Sequence, residues 1–352
     1  MVIRRGTSLF AVLLVLAAPA AFSAHSVESV EPRASLVTRL KVWRPTDIPS
    51  KNLWTGPSGP GSFDPGATID CAYREKKLTG DSPKFWCEPP GAEALKVKYG
   101  DENGEVYGEV IASRLLWALG FGADWMYPVR VICHGCPDRI RGTVNADGGR
   151  VIDPADVERK MPATTLSDHW SWKEIERIDE AAGGATRAER DAFKLLAVLI
   201  FHGDSKPVQQ RIVCLGAVVN GRCAAPFVFI QDVGSTFGSA KTFSGPDRLS
   251  VNLARWSREP IWKDSARCVA NLHGLLSSTL HDPVISEGGR RFLAGLLMQL
   301  SDRQLRDLFT AARVNLRPRM PKDAASGHPA IGEWVDAFKQ KRAAIVDHRC
   351  PE

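Results

Sequence analysis

Apolar positions along the chain fall into runs of changing period. Residues 9–21 are almost wholly apolar, interrupted only by Pro19. Residues 25–66 are rich in Pro, Gly and Ser around a few Trp, and 54–61 reads as loop. From Thr68 short runs alternate with turn signals, at 68–74, 84–88 and 94–99, which predicts strands of a small antiparallel sheet. The pattern then turns helical over 106–119. Val110, Leu115, Leu116, Ala118 and Leu119 make an apolar face there, and Gly120 stops it. Residues 127–133 and 141–144 return to strand, with a turn at 146–149. Beyond about residue 160 the pattern is mainly helical. The strongest helix is 187–201, where Phe193, Leu195, Leu196, Val198, Leu199 and Ile200 give a broad apolar surface. Two short strands follow, 211–214 and 227–230, and further helices are predicted at 287–300, 302–314 and 331–346. No internal repeat is visible.

This order predicts an α+β chain: a leader at 1–24, a Pro/Gly-rich extension at 25–66, a strand-rich part with one helix at 67–160, and a helical part at 161–352. Arg4 and Arg5 precede the apolar run, and the small residues Ser23 and Ala24 follow it. That is the layout of a secretory signal peptide, with Arg4-Arg5 a faint twin-arginine signature, and the run is too short for a spanning anchor. No later segment is apolar for long enough to cross a bilayer. The expected location is therefore exported, periplasmic or secreted.

The formal net charge is +6, or +4 once a leader holding two arginines and no acids is removed. That is too mild to argue for nucleic acid or an anionic membrane, and no basic stripe interleaved with aromatics accompanies it. The eight cysteines all lie beyond the leader, and an even count in an exported chain reads as disulfides. Sequence order suggests Cys71–Cys87, Cys133–Cys136, Cys214–Cys223 and Cys268–Cys350. Cys133-His134-Gly135-Cys136 could instead be a redox pair or half a zinc site. A redox pair wants a helix N-terminus, zinc wants further ligands, and Pro137-Asp138 with another strand follow; a structural disulfide in a turn is expected.

The glycines of 54–61 lack a preceding strand and a closing Gly-Lys-Ser/Thr, so they do not form a phosphate loop. The informative segment is His202-Gly203-Asp204-Ser205-Lys206-Pro207-Val208-Gln209, between the strongest helix and a strand. A second is Phe227-Val228-Phe229-Ile230-Gln231-Asp232-Val233-Gly234, a strand ending in Asp-x-Gly. Upstream, 94–99 places Lys96 and Lys98 on one face of a strand, since side chains repeat every two residues. Glu105 and Glu109 open the next helix, and Gly80, Ser82 and Lys84 lie in the preceding loop.

In order and type these segments resemble protein kinases. The first is similar to the kinase catalytic loop, with His202 bracing it, Asp204 at the place of the base and Gln209 where a metal-binding Asn would fall. The second is similar to the Asp-Phe-Gly motif, with Asp232 as metal ligand and Val233 replacing Phe. HipA-type kinases carry a strand lysine where Lys98 stands, then a Glu five residues before Arg-Leu, as Glu109 precedes Arg114-Leu115. They also carry a phosphate-contacting loop like Gly80–Lys84. The secretory-pathway (Golgi) casein kinases, themselves exported and disulfide-bonded, are similar at Asp232-Val233-Gly234-Ser235-Thr236-Phe237-Gly238. The resemblance covers residues 78–238. It implies a bilobal kinase-like fold, with a strand-rich N-lobe holding one helix and a mainly helical C-lobe. ATP and Mg²⁺ or Mn²⁺ would sit between Lys98, Lys84, Asp232 and Gln209, with Lys96 and Glu105 the alternatives for the lysine–glutamate pair. The Asp204–Asp232 gap is longer than in ordinary protein kinases, and a hairpin closed by Cys214 and Cys223 would absorb it. The implied activity is phosphoryl transfer to an unknown acceptor (protein, sugar or small molecule), without nucleic acid. The rivals are a pseudokinase-type binding module and an exported structural or thiol-redox protein. Trp170, Trp172 and Trp256 are expected in packing rather than as a carbohydrate platform.

Overall fold

Five strands close on themselves. β1 (Ala67–Arg74), β2 (Lys84–Glu88), β3 (Leu95–Tyr99), β4 (Trp125–His134) and β6 (Arg150–Arg159) run in the order β3-β2-β1-β4-β6, and β3 pairs β6 to shut the barrel. The short β5 (Thr143–Val144) pairs with β6 outside this ring. A computed structural model describes residues 31–80, 82–238, 250–319 and 327–351; the leader at 1–24 lies outside them. The barrel replaces the small antiparallel sheet expected from the run pattern, and β1 and β4 pair in parallel. The strand that makes closure possible, β6, contains Asp153-Pro154-Ala155-Asp156, and proline and acids mask a strand signal. Its register holds Val97 opposite Val157 and Lys98 opposite Asp156. Closure leaves neither β3 nor β6 as an open edge. Ile69, Phe85, Val97, Val129, Val131 and Val157 fill the interior, and Cys71–Cys87 ties β1 to β2.

Helix α2 (Glu105–Leu119) follows β3 and is buried on every side except at Trp117. It packs against β4 and β6 and supplies Val106, Val110, Ile111, Leu115 and Leu119 to the larger core. Each such side chain contributes about 1.5–3 kcal/mol by leaving water. Gly120, at φ 89°, ends it as expected. Residues 31–66, which include the one-and-a-half-turn α1 (Arg33–Thr38), cross the same core: Leu36, Val37, Leu40, Val42, Ile48 and Leu53 are all buried in it. Lys41 bonds through its backbone to Pro226 and Val228.

Beyond β6 helices alternate with short strands, and β7 (Thr164–Ser167) pairs β8 (Gln210–Cys214). The short α3 (Trp172–Ile175) leads to α4 (Arg187–Leu199), which starts where Thr186 and Glu189 cap each other's backbone N–H. β8 and β11 (Pro226–Ile230) form an antiparallel hairpin whose tip, β9 (Val218–Val219) and β10 (Arg222–Cys223), is closed by Cys214–Cys223. The expected hairpin between the two acidic motifs is thus present. Helix α6 (Glu287–Leu297) packs on α4, and α5 (Leu253–Arg258), α6 and α7 (Asp302–Ala311) pack on α8 (Ile331–Val346). Trp170, Trp172 and Trp256 are buried core residues. Among the described residues no helix is long and apolar enough to cross a membrane.

All eight cysteines pair as sequence order suggests. Cys133–Cys136 closes a turn at the end of β4, followed by no helix. Protein recovered from an oxidising compartment and denatured is expected to show no reactive thiol; four or more would break the framework. The bridges should differ in value. Cys268–Cys350 spans 82 residues of sequence and Cys133–Cys136 only 3. On the chain-entropy view, Cys→Ser replacement of the first pair costs about 4–5 kcal/mol and of the second about 2. Denaturant titration of the two double variants measures the difference.

Candidate active site

The site assembles where the barrel, α2 and the β8–β11 hairpin meet. β3 carries Lys96 and Lys98 on one face, and pairing separates their roles. Lys96 forms an ion pair with Glu158 of β6. Lys98, 4% exposed, donates to Glu105 at 2.6 Å and to Glu109 at 2.5 Å. Both glutamates therefore hold the lysine, four residues apart on one face of α2. Burial disfavours the Lys98 ammonium, but Glu105 and Glu109 outweigh it and hold the group charged, well above the usual lysine range. Burial pushes the Glu109 carboxyl up to about 7, with Lys98 opposing. Against the same burial, Lys98 keeps Glu105 below its ordinary value.

The second strand of the cradle, β2, places Lys84 directly across from Lys98. Its ammonium donates to Ser82 Oγ at 3.2 Å, and the buried Ser82 also bonds Glu105. Gly80 lies at the exposed start of this loop, in the left-handed region at φ 78°. Burial and the neighbouring Lys98 lower the Lys84 pKa. A half-buried cation beside another cation is a favourable seat for an anionic ligand.

On the other side, α4 ends and Phe201 takes a positive φ of 53°. His202, fully buried, is neutralised by burial, and neither ring nitrogen has a protein partner. The Asp204 loop is stapled from outside. Ser278 donates its hydroxyl to Gly203 O at 2.6 Å and accepts from Ser205 N at 3.0 Å. Asp204 faces Lys206 at 2.9 Å. The Gln209 amide donates to Asp204 Oδ2 at 3.3 Å and to Asp232 Oδ2 at 3.4 Å. Backbone pairing of Gln231 N with Gln209 O, at 2.9 Å, fixes the two segments together. At Asp232 burial would raise the pKa, but Lys98 and the Gly234 N–H hold it down at about 2, so the group stays ionised. Lys84 and Lys98 both act on this carboxylate. Gly80, Ser82, Lys84, Lys98, Glu109, Asp204, Gln209 and Asp232, far apart in sequence, are thus brought to one place.

Three features of the site lay outside the motifs. Asp156 faces Lys98 from β6, and no local pattern reveals a register between strands so far apart. Ser278 sits in a loop more than seventy residues from the aspartate it supports. Gly108 lies on α2 between the two glutamates, where a Cβ would come within 2.7 Å of Gly234 O. A glycine inside a strongly helical run was the available clue to a close backbone approach.

No family model matches the chain, and no curated protein does. Solved structures similar to it include two kinases. One is the Helicobacter pylori proinflammatory kinase CtkA, 10% identical, with a TM-score of 0.40 over 80% of this chain and 97% of that one. The other is the Golgi casein kinase with Mn/ADP bound, 10% identical, with a TM-score of 0.37 over 80% of this chain and 72% of that one.

The close approach at Gly108 yields a test whose sign is informative. Gly→Ala inside a helix ordinarily stabilises by about 1 kcal/mol. Here Gly108→Ala should destabilise by about 1–3 kcal/mol, because the methyl group meets backbone that cannot yield. Thermal or denaturant unfolding measures it; a stabilised variant would show that α2 does not rest on the Asp232–Gly234 turn.

Proposed function

We propose that this protein is an exported, kinase-like phosphotransferase that uses ATP with Mg²⁺ or Mn²⁺ on an acceptor hydroxyl. The observation that carries this reading is the Lys98–Glu105–Glu109 cluster beside Asp232, with Gln209 joining Asp232 to Asp204. Four disulfides and the basic, apolar leader support export. Protein, sugar and small-molecule acceptors all remain within the proposal, and nucleic acid does not.

The donor set fits a divalent metal. The ionised Asp232 offers a hard oxygen ligand, and the Gln209 amide oxygen would be a second, the type Mg²⁺ and Mn²⁺ take. The amide now points its NH₂ at both carboxylates, which marks the space between them as one that favours positive charge. Rotating it by half a turn would turn its oxygen there instead. A bound metal would neutralise charge on the nucleotide phosphates. Lys98, fixed by two carboxylates, would hold phosphate oxygens without reorganising, and Lys84 with the Gly80–Ser82 loop would close over them. Asp204, held by the Ser278 staple, would orient the acceptor hydroxyl and take its proton as the oxygen attacks phosphorus.

One observation favours a second reading, a nucleotide-binding module without turnover. Gln209 replaces the shorter Asn and occupies both carboxylates itself. Two experiments separate the readings. Nucleoside triphosphate with Mg²⁺ or Mn²⁺ should raise the unfolding temperature, and ligand at about 100 times its dissociation constant stabilises by roughly 2.7 kcal/mol. Asp232→Ala should abolish the metal-dependent part; equal shifts in wild type and variant would remove Asp232 from the site. In transfer of labelled γ-phosphate, autophosphorylation included, Asp204→Ala should cost about 10²–10⁴-fold in rate while nucleotide binding persists. Gln209→Asn should preserve or raise the rate. Wild type that binds nucleotide yet never exceeds the Asp204→Ala background would establish the binding module.

A further inference from the structure

The lysine cradle contains one carboxyl group more than Lys98 needs. Asp156 of β6 is 1% exposed and stands directly opposite Lys98 in the β3–β6 register. Lys98 already donates to Glu105 and Glu109, and Lys96, the next cation on the strand, is committed to Glu158. The Asp156 and Glu109 carboxyl groups lie against each other, and Asp156 Oδ1 has no donor from the protein. Two carboxyl groups in contact, both buried, cannot both be ionised, and a hydrogen bond between them requires one proton.

We propose that Asp156 is a positioning residue that, as a neutral acid, donates its hydroxyl to Glu109 and thereby aims the Glu109 carboxylate at Lys98. The groups facing it agree with that state. From β3 come Lys98 and the already paired Lys96; from α2 comes Glu109. Burial first, then the Glu109 charge, drives the Asp156 pKa well above the carboxylate range, while Lys98 opposes. With the proton on Asp156, Lys98 is balanced by two carboxylates rather than three, and Glu109 gains a donor on the side away from the lysine. The neutral acid thus does for Glu109 what a backbone N–H does for a carboxylate at a helix start: it fixes direction without adding charge.

The test compares two substitutions that a carboxylate and an acid would answer differently. Asp156→Asn keeps shape and supplies an N–H to Glu109; Asp156→Leu keeps bulk and supplies no donor. Asn should leave the unfolding temperature and the metal–nucleotide shift near wild type. Leu should weaken nucleotide affinity roughly tenfold, the effect of one lost buried hydrogen bond. If Asn loses as much as Leu, Asp156 is an ionised counter-charge and the proposal is wrong; if Leu loses nothing, it does not position Glu109. A second measurement needs neither ligand nor turnover, and stands even if Leu does not fold. The infrared difference spectrum of wild type minus Asp156→Asn, near neutral pH, should show a protonated carboxylic-acid carbonyl band. A carboxylate band in its place overturns the proposal. Because the spectrum is taken without nucleotide, it decides the matter even where the phosphotransferase reading, on which the affinity effect rests, fails.

Discussion

The structure turns on one buried ammonium group. Taking a lysine charge out of water costs several kcal/mol unless carboxylates replace the solvent, and removing its partners would leave it uncompensated. Lys98 has no local source of such partners: its own strand offers none. They come from the first two turns of α2, through Glu105 and Glu109. The position of the helix relative to the barrel is therefore fixed by an electrostatic requirement as much as by apolar burial. The turn that carries Asp232 rests on the same helix at Gly108, so a shift of α2 would move the lysine's partners and the acidic turn together.

That helix is also clasped from its other end. Arg114, buried, donates to the carbonyls of Leu53 (2.8 Å), Trp54 and Thr55 (3.3 Å). Burial lowers its pKa to about 10, which still leaves it charged at neutral pH. Gln304 of α7 bonds the carbonyls of Ile48 and Lys51 in the same strap. The segment before the barrel thus has its backbone carbonyls satisfied by side chains of two helices, which is how an irregular stretch can cross a core without orphaned polar groups.

Much of this was legible locally. The run over 106–119 had the helical period and its glycine stop, and α2 ends at Leu119. The strands of the hairpin, the helix before Asp204 and the three C-terminal helices were within a few residues of their observed bounds. What escaped was long-range. β6 carries proline and two aspartates within its ten residues, so its strand character comes from pairing with β3 and β4 rather than from propensity. Barrel closure, the parallel β1–β4 pair and the Lys98–Asp156 register are all choices between distant segments. The residues at 25–66 read as a Pro/Gly-rich extension because six buried apolar side chains are spread among prolines, without any period. Lys96 and Lys98 were equivalent on the strand face by spacing; Glu158 beside the one and Glu105 with Glu109 beside the other separate them. Site residues drawn from short motifs were visible because each motif is contiguous, whereas Asp156 and Ser278 act across folded distances.

The hairpin between the two acidic segments has an evolutionary consequence. Its base, β8 against β11, places Asp204 and Asp232 through pairing that begins at Gln210 and Ile230, while the cross-link at Cys214–Cys223 sits toward the far end. Everything beyond that bridge is mechanically insulated from the acids. Val218 and Val219 at the tip are exposed. A change of length there would lie beyond the bridge and leave the Gln210–Ile230 pairing that orients both aspartates in place.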